Sequence, residues 1–115
     1  MKELVKVFKA VADPNRIRIL KMLQQKKMCV CELSAVLGIT QPSVSRHLSM
    51  MRDAGLVSDE RDSQWINYEL CEEKLNLYAP IIMKHIKEWI NDNPRIKEDA
   101  SMLKRLDRAK LCKKT

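Results

Sequence analysis

Cys29 and Cys31, separated by a single valine, are the side chains of this sequence best suited to covalent or coordination chemistry. A thiolate is both a nucleophile and a soft ligand, so such a pair serves a thiophilic ion or a redox couple; it can equally be two small buried apolar residues. Cys71 and Cys112 lie far off in sequence, and four irregularly placed cysteines do not make a disulfide scaffold. A second group is polar: Gln41, Ser43, Ser45, Arg46 and His47 fall within seven residues. Gln and Arg can bond base edges in pairs and serine hydroxyls suit phosphates, although any one of these residues is also an ordinary occupant of an exposed helix.

The elements that must position these groups follow from hydrophobic spacing. Leu4, Val7, Phe8 and Val11 predict a first helix that stops before Asp13-Pro14, an N-cap with proline at the first helical position. Ile17, Leu20 and Leu23 form the apolar face of a second helix, which runs out over Gln24 to Lys27. Val30, Leu33 and Leu37 predict a short third helix ended by Gly38; Thr40 caps a fourth bearing Val44, Leu48 and Met51 and stopping at Gly55. Leu56 to Glu60 and Trp65 to Leu70 alternate as strands joined by Arg61 to Gln64. After Pro80 a helix carries Ile81, Ile82, Ile86, Trp89 and Ile90 until Asn93-Pro94, and Ala100 to Leu111 reads as a charged helix with no apolar face to dock it.

Two short helices joined by a glycine turn and followed at once by a hairpin are the layout of a winged helix-turn-helix, a mainly α fold with a β-hairpin wing. In that layout Gln41, Ser43, Ser45, Arg46 and His47 stand on the helix that enters the major groove, with Arg61 and Gln64 on the wing; Trp65 either reaches DNA or packs on its own domain. Residues 41–64 nevertheless hold three arginines against four acids, so phosphate attraction also needs helix N-termini and lysines such as Lys26 and Lys27.

The chain has 115 residues, 22 Lys or Arg against 15 Asp or Glu, and a net charge of +7, which favours a polyanionic partner. Its length suits one domain and leaves a small core, so a homodimer joined through the terminal helices is expected, with Leu4, Val7, Phe8, Ile82, Trp89 and Ile90 at the interface. We expect residues 1–92 to form the DNA-binding and dimerisation unit and 93–115 a basic tail or short helix. The absence of a long apolar run and of a signal-peptide pattern predicts a cytoplasmic protein with no membrane partner.

Residues 12–20 (Ala-Asp-Pro-Asn-Arg-Ile-Arg-Ile-Leu), Cys29-Val30-Cys31-Glu32-Leu33, the stretch from Gln41-Pro42-Ser43 to Arg46-His47-Leu48 and the wing Trp65 to Leu70, in this order, resemble the ArsR/SmtB family of bacterial metal-responsive repressors, within it the arsenical-resistance type. The resemblance implies a dimeric repressor, with no cofactor needed to bind double-stranded operator DNA at an imperfect palindrome. It implies that As(III) or Sb(III) captured by Cys29 and Cys31 releases the operator, and that the recognition residues fall on Gln41 to His47. Many arsenical repressors carry a third cysteine where this chain has Ser34. Cys112, on a tail able to reach in, is the preferred third ligand, with Cys71, an external thiol or none as alternatives. Cysteine-bearing N-terminal extensions of cadmium and lead sensors have no counterpart here, and of a zinc site only the half offered by His85 and Glu88, at i, i+3 spacing, is present.

Two sulfurs at the start of a helix gain thiolate character from its dipole. Residues two apart on a helix point about 200° apart, so an ion held by both is expected to unwind that turn and thereby disturb the recognition helix. The competing readings are the same fold sensing Cd, Pb or Zn, or sensing oxidants by disulfide or sulfenate formation. A thiol oxidoreductase lacks both a catalytic constellation and a thioredoxin-like alternation of strands and helices, so no enzyme is expected.

Overall fold

The computed structural model describes residues 1–73 and 76–112. Among these the elements run α1 (Lys2–Val11), α2 (Pro14–Gln25), α3 (Val30–Leu37), α4 (Gln41–Asp53), β1 (Val57–Asp62), β2 (Trp65–Leu70), α5 (Ala79–Glu88), α6 (Pro94–Leu103) and α7 (Arg108–Leu111). The boundaries follow local chemistry. Asp13 Oδ1 accepts from the backbone N–H groups of Asn15 and Arg16 at 2.8 and 3.1 Å, starting α2. Gly38 ends α3 at φ +71°, where a side chain would be strained, and donates its N–H to Ser34 O at 2.9 Å. Thr40 then caps α4, so α3 and α4 are held at a fixed turn.

Ile19, Leu20, Met22, Met28, Leu33, Leu48, Met51 and Leu56 are fully buried, drawing α2, α3, α4 and the base of the wing onto one core. Each such side chain contributes about 1.5–3 kcal/mol by leaving water. β1 and β2 pair antiparallel from Val57↔Leu70 to Asp62↔Trp65, and Met28 and Tyr68 exchange backbone hydrogen bonds at 3.1 and 2.8 Å, tying the residue before Cys29 to the wing.

Several expectations change. The hairpin loop is Ser63-Gln64 rather than four residues, because Ser63 adopts φ +57° without the glycine that would have signalled it. Trp89 and Ile90 lie beyond the end of α5: Lys21, from α2, donates to Ile86 O and Trp89 O, both at 2.9 Å, and closes the helix there. Val7 faces the chain's own core at 1% exposure and is withdrawn from any interface, whereas Phe8, Trp89 and Ile90 are exposed and Leu4 and Ile82 half-buried.

The tail also docks. Rather than one charged helix over Ala100 to Leu111, there are two, and α6 packs on α2 and α3 while α7 packs on α3. Its inward positions are Ile96, Asp99 and Leu103, an i, i+3, i+7 face with a carboxylate in the middle. Arg18 Nε and Nη2 reach the two Asp99 oxygens at 2.8 and 2.9 Å, so the interior charge is paired by a residue 81 positions away. An apolar stripe could not reveal that face.

Candidate thiolate site and DNA-facing helix

Cys29 is the N-cap of α3, with extended backbone (φ −92°, ψ 167°), and Cys31 is the second residue of the helix. Because Cys29 stands outside the helix, the 200° rule does not apply to the pair. With Cys112, at the end of α7, their sulfurs all lie within 4.8 Å of one another while α3 remains intact. The expected unwinding of the first turn is therefore unnecessary. Cys31 and Cys112 are joined as a disulfide, their Cα atoms 5.8 Å apart, while Cys29 and Cys71 are free thiols. Cys71 is not in the cluster. Ser34, at the position of the missing third cysteine, instead donates its hydroxyl to Ile39 O at 2.5 Å and braces the turn into α4.

Glu32 is the residue that motif reading left without a role. Four per cent exposed, it accepts the Cys29 N–H at 3.1 Å, completing a capping box in which cysteine replaces the usual serine or threonine. The Cys-x-x-Glu spacing carried that signal. Its carboxylate is balanced by Lys26 at 3.6 Å and Arg108 at 3.9 Å. The expected thiolate character of Cys29 is also corrected: burial pushes its thiol up, the Glu32 carboxylate adds to this, and the Glu32 N–H and Arg108 only oppose it. Sulfurs sharing one ion at bonds of about 2.3 Å stand roughly 3.4–3.8 Å apart, so the three sulfurs, within 4.8 Å of one another, need only small side-chain shifts to share one once reduced.

On α4, Gln41, Ser45 and Arg46 are exposed, and Arg61 and Gln64 are exposed on the wing. Ser43 is half-buried, and its hydroxyl oxygen lies 3.0 Å from Thr40 Oγ1 and accepts from Arg46 Nη2 at 3.1 Å. His47 turns inward: Arg16 Nη1 donates to its Nδ1 at 3.0 Å, which requires the neutral ring. Desolvation holds this histidine below its usual range, helped by Arg16 and Arg46 and opposed by Asp13. The unfolded chain thus binds the His47 proton more readily, so stability should fall as pH drops below about 6.5. Thermal melts at pH 7.5 and 5.5 should show a smaller acid-induced loss for His47→Gln than for the native chain. Lys26 and Lys27 are engaged by Glu32 and Glu69 rather than free for phosphate, Lys27 at 3.2 Å from its partner. Trp65 packs under Arg108, whose guanidinium carbon lies 4.7 Å from the ring centre. His85 and Trp89 stack at 5.2 Å, which gives that histidine an ordinary packing role.

No helix among the described residues is long and apolar enough to cross a membrane. Residues 13–59 match the family described as bacterial regulatory protein, arsR family. The arsenic resistance transcriptional regulator ArsR1 of Pseudomonas putida is 44% identical over 90 residues, covering 74% of this chain and 70% of that protein. The arsenical resistance operon repressor of Escherichia coli K12 is 37% identical over 67 residues, 57% of each chain. Among solved structures, reduced HlyU from Vibrio cholerae superposes with TM-score 0.64 at 28% identity, covering 78% of this chain and 90% of that one. The cadmium sensor CMTR of Mycobacterium tuberculosis gives 0.58 at 30% identity, covering 76% and 83%. With the helix-turn-helix, the wing and a relative this similar over most of its length, the chain belongs to the ArsR/SmtB family of winged helix-turn-helix transcriptional regulators.

Proposed function

We propose that this regulator is a cytoplasmic homodimeric repressor that leaves an imperfectly palindromic operator when As(III) or Sb(III) is captured by Cys29, Cys31 and Cys112. The observation that carries the reading is the meeting of three sulfurs from two distant segments within 4.8 Å. Soft thiolates favour such ions over hard cations. In the reduced chain each cysteine exchanges its S–H for a bond to arsenic while one hydroxide of arsenous acid leaves as water. Three thiols therefore release three waters and no electrons change hands. Residues 1–92 supply DNA contacts through Gln41, Ser43, Ser45, Arg46, Arg61 and Gln64; residues 93–115 deliver the third sulfur. His47 contributes through Arg16 and not by touching bases. Leu4, Phe8, Ile82, Trp89 and Ile90 remain the candidate contacts between protomers.

The test uses a duplex selected from random sequence by protein first reduced with a phosphine, which is then removed under oxygen-free buffer at fixed salt. Arsenite or antimonite should release the duplex, while zinc, cadmium and peroxide at equal concentration should release far less. Release by cadmium or zinc in preference to arsenite would replace the metalloid reading with that of another metal. Release by peroxide, reversed by reductant, would favour the Cys31–Cys112 disulfide already within reach as the physiological signal.

A further inference from the structure

We propose that Arg108 is a positioning residue that couples the three-sulfur site to the wing, so that seating Cys112 beside Cys29 and Cys31 and clamping the hairpin are one event. The trigger rests on the thiolate reading above; the clamp rests on separate contacts. Cys112 donates its N–H to Arg108 O at 2.8 Å, so the two residues are successive ends of the single turn of α7. From there the Arg108 side chain reaches across to the hairpin. Its Nη1 donates to Asn67 Oδ1 at 2.5 Å, its guanidinium covers the Trp65 ring, and Nη2 lies 3.9 Å from Asp62. Asp62 and Trp65 are the pair that closes the hairpin beneath Ser63-Gln64.

The same guanidinium stands 3.9 Å from Glu32, which holds the Cys29 N–H, so one cation touches both the floor of the sulfur site and the neck of the wing. Around it lies an open cleft of about 540 Å³ between α3, the wing and the tail, so on this side the tail meets the wing across a gap. Apart from Cys112, which is buried against α3, α7 meets the wing through the Arg108 side chain, so holding the cysteine and holding the wing fall to one short turn. With the sulfurs apart, the hairpin loses its clamp and Arg61 and Gln64 are free to settle on DNA; with them gathered, the hairpin is held in the clamped pose. A ligand shifts such an equilibrium only through contacts that differ between the two states, and the Arg108 fork supplies them.

Arg108→Ala and Arg108→Lys test this, the lysine keeping the charge but losing the planar fork and the stacked face. Two triggers close the tail. One is arsenite, with capture followed by near-ultraviolet thiolate absorbance. The other is diamide, applied to a chain carrying Cys29→Ser and Cys71→Ser. There the S–H bonds of Cys31 and Cys112 break, their S–S bond forms, and two electrons and two protons pass to diamide, giving its hydrazine. With Arg108 present, each trigger should weaken binding to the selected duplex within the about 5- to 150-fold span of typical coupling. In both Arg108 variants the ratio should approach unity, with operator affinity before the trigger retained and arsenite still captured, weakened by no more than the lost coupling. If arsenite is inert while diamide acts through Arg108, the metalloid reading fails and the relay stands. The relay is overturned if the variants keep the full ratio, if neither trigger weakens DNA binding, or if the variants lose arsenite capture itself. Should Arg108→Ala not fold, Asn67→Ala removes the clamp's hydrogen bond from the wing side and must lower the ratio in the same direction.

Discussion

Asp99→Ala should lower the folding free energy by about 3–5 kcal/mol, a large share of the roughly 5–15 kcal/mol that holds a domain of this size together. The Asp99 side chain is 2% exposed and Arg18 12%, and the two meet through a pair of nearly parallel hydrogen bonds. Both charges are largely withdrawn from water in the folded chain, so deleting the carboxylate leaves a mostly buried guanidinium without its main partner between α2 and α6. Asp99 raises the Arg18 pKa further by its hydrogen bond, which shows the direction of their interaction. Glu98→Ala is the control. Glu98 pairs with Arg95 at 3.3 Å with both side chains half exposed or more, so its loss should cost no more than about 1 kcal/mol. Urea titrations of the reduced proteins measure both. Replacing the pair together, as Arg18→Met with Asp99→Leu, should recover most of the loss, because a packed apolar pair avoids the desolvation that the ions suffer. A result in which Asp99→Ala matches Glu98→Ala would mean that α6 is not anchored by this pair.

The fold was readable wherever a rule of local spacing applied. Asp13-Pro14, Gly38, Thr40 and Gly55 punctuate the helices as capping chemistry requires, and Val44, Leu48 and Met51 trace the buried side of α4. What escaped was non-local or involved a polar residue in an apolar role. Asp99 interrupts the inward face of α6 and is explained chiefly by the distant Arg18; Lys21 ends α5 from another helix, so Trp89 and Ile90 looked helical in sequence. At the sulfur site the pair Cys29 and Cys31 stood out and Cys112 was one of several third partners, but their geometry was not legible, because a shift of one residue in the start of α3 puts Cys29 outside the helix and removes the supposed conflict. That shift was available from Cys-x-x-Glu read as a capping box. The part played by Arg108 was beyond reach, since nothing local marks which of eight basic residues in the tail will meet the wing.

Arsenite itself should stabilise the reduced chain, and this reports on the sulfurs without any DNA. An ion at 100 times its dissociation constant that binds only the folded state adds about 2.7 kcal/mol, or roughly 10 °C in midpoint for a domain near this size. Cys31 shares the cluster with Cys29 and stands against Cys112, so Cys31→Ser should abolish the shift. Cys112→Ser should weaken capture by about 10²-fold or more, since it removes the tethered ligand whose high effective concentration converts a two-point grip into a three-point one. Cys71→Ser, outside the cluster, should leave the shift unchanged. Kinetics separate Cys29 from the others. Its thiol is pushed up by burial, and the thiolate is the attacking form, so at neutral pH little of Cys29 is ready to react. Cys29→Ser should therefore lower the final affinity more than it slows first capture. If Cys112→Ser instead kept the full midpoint shift and Cys71→Ser lost it, the third sulfur would come from the wrong side of the molecule, and both the site and its link to the wing would have to be abandoned.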